Sequence, residues 1–118
     1  MFVEHIKNVV ESVEGSIGGL IMGLDGIALD HYISPEREFD VNTVGMEFSF
    51  ILTQVRKAGE ILEIGGVNEF LVKSEGMTLV IRMITEEYFL AVVLNANANF
   101  GKTRFLMRLA ESKLRPEL

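Results

Sequence analysis

The stretch VVLNANANFGKTRFLMRL, residues 92–109, carries the strongest functional signal in the sequence, because Gly101, Lys102 and Thr103 follow an apolar run and a polar loop. A phosphate-binding P-loop also ends in Gly-Lys-Thr or Gly-Lys-Ser at the start of a helix that follows a strand. The full pattern, Gly-x4-Gly-Lys-Ser/Thr, has an earlier glycine at which the backbone turns tightly around the phosphates. That position is Ala96 here. The stretch therefore predicts a buried strand, a loop and a final helix without a nucleotide site.

Composition indicates one globular domain, residues 1–118. Hydrophobic residues make up 48% of the chain and charged residues 24%, enough for one buried core. The formal net charge of -6 opposes binding to nucleic acid, whose phosphates repel an acidic surface. There is no cysteine for a disulfide, and the opening MFVEHIKNVV has no uninterrupted apolar run for a signal peptide or a membrane span. We expect a cytoplasmic protein without a membrane or nucleic-acid partner.

Hydrophobic periodicity predicts eight elements in the order α-β-β-α-β-β-β-α. The predicted helices cover residues 2–14, 41–62 and 100–114, and the predicted strands cover residues 16–24, 27–33, 67–74, 77–85 and 88–95. Asp25-Gly26 suits the turn of the first hairpin, because this dipeptide accepts positive φ angles. Asp40 is a suitable N-cap for the second helix, which should stop near Gly65-Gly66.

The polarity of the strands predicts their order in the sheet. Strands two and three carry polar residues on one face, which is typical of edge strands, whereas strands one, four and five are apolar on both faces. Hairpins pair strand one with two, and strand four with three and five. Keeping the polar strands outermost places strand one beside strand five. The prediction is an α/β (α+β) fold with a five-stranded antiparallel sheet of order 2-1-5-4-3 and helices on both faces.

The second predicted helix has two apolar stripes. The stripe expected to pack on the sheet consists of Val44, Phe48, Ile51, Leu52, Val55, Gly59 and Leu62. Nearly opposite lie Met46, Phe50 and Ile61, interleaved with polar residues. A helix of a small monomer buries only one face, so the second stripe predicts a homodimer in which it packs against its own copy. Scattered apolar surface residues remain the alternative.

The third predicted strand extends the same hypothesis, because an edge strand is protected when it pairs with its own copy. The predicted dimer interface consists of Met46, Phe50, Thr53, Lys57, Ile61, Phe70 and Val72. The residues predicted to bind a further partner are Thr43, Glu47, Gln54 and Arg37. Arg37 lies in a loop, from which an arginine finger could reach a neighbouring nucleotide site, although a lone loop arginine rarely does so.

No set of residues suggests catalysis, a cofactor or a metal ion. His5 and His31 lack cysteine neighbours and ligand spacing. Asp25 and Asp30 are explained by a turn and by the polar face of a strand. We therefore expect a protein that is not an enzyme and needs no cofactor.

Arginines gather on the last predicted helix. Arg104, Arg108 and Arg115 fall on one side of it together with Glu111. A solvated face is the usual interpretation of such a cluster, and a docking patch for an acidic partner is the other.

Two segments resemble the Roadblock family, relatives of the dynein light chain of that name. LIMGLDGIALDHY, residues 20–32, is similar to the family's first hairpin. FLAVVLNANANFGKTRFLMRLAESKL, residues 89–114, is similar to its closing strand, asparagine-rich loop and helix. Each segment alone is a weak signal, but their order and the length of the chain match the family.

The resemblance implies a fold with helix two on one face of the sheet and helices one and three on the other. It also implies dimers joined through helix two and strand three. Family members regulate or scaffold Ras-like small GTPases, and bacterial members of the MglB type stimulate GTP hydrolysis in cell polarity by repositioning the GTPase's own residues. We expect a GTPase-activating homodimer of this kind, with a dimeric scaffold that leaves the nucleotide cycle unchanged as the alternative.

Overall fold

The computed structural model describes all 118 residues, and the elements follow the predicted order. They are α1 (Phe2–Ser12), β1 (Ser16–Gly23), β2 (Ala28–Ile33), α2 (Val41–Leu62), β3 (Glu69–Lys73), β4 (Met77–Met83), β5 (Tyr88–Asn95) and α3 (Phe100–Leu114), followed by a short 3-10 helix (Arg115–Glu117). The predicted boundaries differ from these by one or two residues at most. No helix combines the length and the apolar character that crossing a membrane requires.

The five strands form one antiparallel sheet of order β2-β1-β5-β4-β3, which confirms the order derived from strand polarity. β1 is buried along its whole length, and β5 is buried except at its ends. β2, at one edge, alternates between half-buried and exposed residues over most of its length. The apolar strands therefore occupy the centre, where helices cover both of their faces.

The helices divide between the two faces of the sheet. α1 and α3 lie on one face, where Ile6 and Met107 belong to the same buried cluster as Leu90 of β5. α2 lies on the other face, where Leu52 belongs to a second cluster with Ala91 of β5. Adjacent residues of a strand point to opposite faces, so β5 supplies both clusters. This arrangement confirms the division of helices that the family resemblance implies.

The first hairpin turns at the predicted Asp25-Gly26, but its turn is longer than a two-residue loop. The N–H of Gly26 donates to the carbonyl oxygen of Gly23 at 2.9 Å, and the N–H of Gly23 donates to that of Ile27 at 3.0 Å. Within the turn only Gly26 has a positive φ, of 85°, whereas a two-residue Asp-Gly turn needs positive φ at both residues. The Asp25 side chain instead accepts a hydrogen bond from the Ile27 N–H at 3.0 Å.

α2 has a cap at each end. The Asp40 carboxylate accepts hydrogen bonds from the backbone N–H of Thr43 at 3.1 Å and from its hydroxyl at 2.6 Å, which confirms the predicted N-cap. The helix ends where Glu63 takes a left-handed conformation with a φ of 57°. The next residue, Ile64, donates its N–H to the carbonyl oxygen of Gly59 at 3.1 Å. Glycine commonly fills this C-terminal position, but here the glycine pair of the sequence follows later.

The face of α2 that packs on the sheet is rotated relative to the predicted stripe. Leu52 is buried as predicted. The prediction for Ile51 and Leu62 is wrong, because these side chains are 38% and 66% exposed. Gly45 and Ser49 are buried in their place. Small residues therefore form much of the contact that we assigned to large apolar ones.

Gly45 explains this rotation. A Cβ atom added to Gly45 would lie 2.6 Å from Cδ1 of Leu20 and 2.7 Å from Cε of Met22, both on β1. Such distances are below van der Waals contact, so the helix backbone comes closest to the sheet where no side chain intervenes. α2 accordingly lies over β1 and β2.

Candidate interaction surface

Large apolar side chains of α2 point away from the sheet. Met46, Phe50 and Ile61 are 59%, 68% and 82% exposed, as the second stripe predicts. Lys57 is exposed and Thr53 is half-buried on the same side of the helix. We call these five residues the outer face of α2. Large apolar side chains that a helix leaves exposed on one side are typical of a surface that another protein covers, because covering them removes apolar area from water.

The exposed apolar surface is wider than the outer face alone. Leu62 and Ile64 follow Ile61 at the end of the helix and are 66% and 70% exposed. Sequence periodicity missed these residues, and it also missed Ile51. The signal that could have found them is the spacing of Gly45 and Ser49, small residues that mark where a helix approaches a sheet closely.

Phe70 and Val72 of β3 lie on the sheet face that α2 shares. Both are half-buried, and the ring centroid of Phe70 is 6.4 Å from that of Phe48. Because α2 lies over β1 and β2, the part of this face near β3 remains partly open. Met77 and Met83 of β4 are half-buried on the same face. β3 pairs with β4 alone, so its other edge is available to another strand.

The four predicted partner-binding residues divide between two places. Thr43, Glu47 and Gln54 are exposed along α2. Arg37 lies in the loop before α2, and its guanidinium donates a hydrogen bond to the side-chain oxygen of Asn95 at the end of β5. The structure therefore places three of them on one helix and ties the fourth to another element.

The Gly-Lys-Thr segment opens α3, as predicted. The Asn99 side chain caps the helix by accepting a hydrogen bond from the Lys102 N–H at 2.9 Å. Thr103 is fully buried, and its hydroxyl donates to the Asn99 carbonyl oxygen at 2.9 Å. β5 is antiparallel to both of its neighbours, whereas a P-loop follows a strand of a parallel sheet. The Thr103 hydroxyl is therefore buried and already bonded, whereas the Ser or Thr hydroxyl of a P-loop binds the metal ion of the nucleotide complex.

The histidines have separate surroundings. Nε2 of His5 lies 3.1 Å from a carboxylate oxygen of Glu117, and His31 is exposed on β2. No three His, Asp or Glu side chains lie close enough together to hold a metal ion.

The arginines of α3 and of the 3-10 helix are not one free patch. Nε of Arg104 lies 2.5 Å from a carboxylate oxygen of Glu69, and Arg115 is paired with Glu111. Arg108 is exposed and takes part in no ion pair. The cluster predicted from sequence therefore divides into two arginines that bind carboxylates of this chain and one that is free.

Solved structures of other proteins share this architecture. MglC from Myxococcus xanthus is 40% identical to this chain over 98% of it and 97% of MglC, with a TM-score of 0.71. A Roadblock/LC7 domain from Streptomyces avermitilis is 17% identical over 97% of this chain and 94% of its own, with a TM-score of 0.85. The gliding protein MglB from Thermus thermophilus is 17% identical over 96% and 84%, with a TM-score of 0.86. Neither models of known families nor the curated proteins gave a match.

The fold and the identity to MglC together define the class: the chain belongs to the Roadblock family. Within that family it is similar in sequence to MglC over nearly its whole length. The low identity to MglB itself, 17%, shows a shared fold alone.

Proposed function

We propose that this chain is a cytoplasmic, non-enzymatic homodimer that binds a Ras-like small GTPase and activates GTP hydrolysis in bacterial cell polarity. The observation that carries the proposal is the exposed apolar outer face of α2 in a member of the Roadblock family. MglB, which has the same fold, is a gliding protein, and this supports a regulatory role of the proposed kind.

A second copy of the chain is the partner that the outer face of α2 fits best. A two-fold axis that passes beside α2 would let Phe50 and Ile61 of one copy pack against the same face of the other copy. Full burial of each of these side chains contributes about 1.5–3 kcal/mol. Pairing of the free edge of β3 with its own copy would place the partner beside Phe70 and Val72. A structure of MglB, which has the same fold, shows a tetrameric arrangement and supports the proposal that chains of this fold associate with one another.

The GTPase would dock on the polar residues beside this seam. Thr43, Glu47 and Gln54 lie exposed along α2, so a pair of helices would present two copies of each residue on one surface. Arg37 would add a contact from the neighbouring loop. Because Arg37 is already bonded to Asn95, we assign it to binding and not to catalysis in the GTPase's site.

The test is GTP hydrolysis by a Ras-like GTPase that co-purifies with this protein from its native cell. We expect the wild-type chain to raise the hydrolysis rate and Phe50→Asp to abolish the effect, because a charge in the seam opposes dimer formation. Phe105→Asp is the matched control, since Phe105 is 58% exposed on the opposite side of the sheet, against 68% for Phe50. An unchanged rate and an unchanged nucleotide affinity with the wild-type chain would contradict regulation.

A dimeric scaffold is the second candidate. Apolar side chains dominate the outer face of α2, and Lys57 is the one cation in the predicted dimer interface. Such a surface suits a protein that binds its partners without adding a catalytic group to their active sites. This function would be favoured by a stable complex with the GTPase that leaves the rates of its nucleotide cycle unaltered. A pull-down that finds only proteins other than GTPases would favour it too.

A further inference from the structure

Positive charge is concentrated at the end of the chain. α3 and the 3-10 helix together hold five of the eleven Lys and Arg residues but only two of the seventeen Asp and Glu residues. The two carboxylates are Glu111, which pairs with Arg82 and Arg115, and Glu117, which contacts His5 and the N-terminus. An acidic protein therefore presents one basic helix on the face of the sheet opposite α2.

The unpaired charges of α3 lie beside exposed apolar side chains. Lys102, Phe105, Leu109 and Lys113 follow one another at intervals of three or four residues, which places them in one row along the helix. Phe105 and Leu109 are 58% and 49% exposed. Arg108 is exposed next to this row, and neither it nor the two lysines takes part in an ion pair. We call these five residues the basic face of α3.

A different side of α3 packs on the sheet. Thr103, Met107, Ala110 and Leu114 bury one side of α3. Phe105 and Leu109 lie on the opposite side by helical geometry. These two apolar side chains therefore leave about half of their surface to water, and the cations around them pair with no carboxylate of this chain.

We propose that the basic face of α3 binds an acidic, amphipathic segment of another protein, with Phe105 and Leu109 as apolar anchors and the three free cations pairing with carboxylates. Charge complementarity selects this occupant, because opposite charges steer association and fix its orientation. A membrane fits less well, since two apolar side chains give little insertion and the net charge of -6 opposes an anionic lipid surface. A second copy binding through its own α3 would bring like charges together.

This site lies on the other face of the sheet from α2, so it does not depend on the GTPase or on the dimer. A protein that used both faces would hold two different partners at once. The outer face of α2 would assemble the dimer, and each copy would keep its basic face of α3 free for the acidic segment.

The first test uses a fluorescein-labelled amphipathic peptide with leucines at helical spacing flanked by glutamates. We expect the peptide to bind the full chain and its affinity to fall as salt rises. Lys113→Glu and Phe105→Ala should each weaken binding about tenfold, whereas Lys7→Glu, the same charge change on α1, should not. Failure to bind, or equal binding to a peptide with lysines in place of the glutamates, would overturn the proposal.

The second test identifies the natural occupant. Photo-reactive benzoylphenylalanine in place of Phe105 is cross-linked in the native cell, and the attached segment is sequenced by mass spectrometry. A glutamate- and aspartate-rich segment with apolar residues at helical spacing supports the proposal. Attachment to lipid, to a second copy of the chain or to a segment without excess acidic residues would overturn it.

Discussion

Asp40 shows at the scale of one residue how a helix cap gives stability a pH dependence. The hydrogen bond from the Thr43 hydroxyl is the largest cause that lowers the pKa of Asp40, and the bond from the Thr43 backbone N–H adds to it. Both bonds favour the ionised carboxylate. Because the pKa of the folded state is lowered, the stabilisation is present above the unfolded pKa and is lost as pH falls through the folded value.

Asp40→Asn should remove this pH dependence while keeping a side-chain acceptor at the N-cap. We expect the urea midpoint of the wild-type chain to exceed that of the variant at neutral pH and the difference to narrow below about pH 4. Equilibrium unfolding of both proteins between pH 7 and pH 3 measures the difference. Thr43→Val removes the hydroxyl donor and should show a weaker pH dependence than wild type; an unchanged one would contradict the assigned cause.

At the scale of elements, ion pairs hold α3 to the edge of the sheet. Arg82 of β4 contacts Glu111 of α3 at 2.5 Å and Glu69 of β3 at 3.2 Å. Glu69 also pairs with Arg104, and Glu111 pairs with Arg115. The side chains of Arg82, Glu69 and Glu111 are 19%, 18% and 15% exposed, so water screens the central contacts poorly. This chain of alternating charges links β3, β4 and α3.

Glu111→Gln should weaken that link. The change removes the charge that balances Arg82 and Arg115 in a mostly buried position, so we expect a loss of about 2 kcal/mol in the free energy of unfolding. Urea unfolding measures it. Arg108→Gln is the matched control on the same helix, because its charge is exposed and unpaired, and it should change stability by less than about 0.5 kcal/mol. Equal effects of the two substitutions would show that the network does not stabilise the fold.

At the scale of the whole molecule, the two faces of the sheet differ in how completely they are covered. α1 and α3 together cover one face, whereas α2 alone lies over the β1 and β2 side of the other. Phe70, Met77 and Met83 consequently remain half-buried. The uncovered part of this face includes β3, which is the edge strand that another copy could extend.

Sedimentation tests whether a second copy provides the missing cover. We expect the wild-type chain to sediment as a dimer at micromolar concentration and Phe50→Asp as a monomer, because a buried unpaired carboxylate opposes the interface. Phe105→Asp should stay dimeric. A monomer mass for the wild-type chain would contradict the proposed interface and leave the basic face of α3 unaffected.

The element order and the strand order could be predicted because both depend on local properties of the sequence. Edge strands such as β2 are polar on one side, and central strands such as β5 are apolar on both. The outer residues of α2 could be predicted as exposed for the same reason: Met46, Phe50 and Ile61 repeat at helical spacing away from the buried side. What they bind is a hypothesis that the single chain does not test.

The sequence by itself determined the helices, the strands, their order and the capped start of α2, since periodicity and capping residues act over a few neighbours. Tertiary structure alone decided which side of α2 meets the sheet, because Gly45 allows an approach that larger residues would prevent. It also decided which arginines of α3 are free. Glu69 and Arg104 are 35 positions apart, and periodicity does not encode contacts at such separations. Arg108 is free because the fold brings no carboxylate to it.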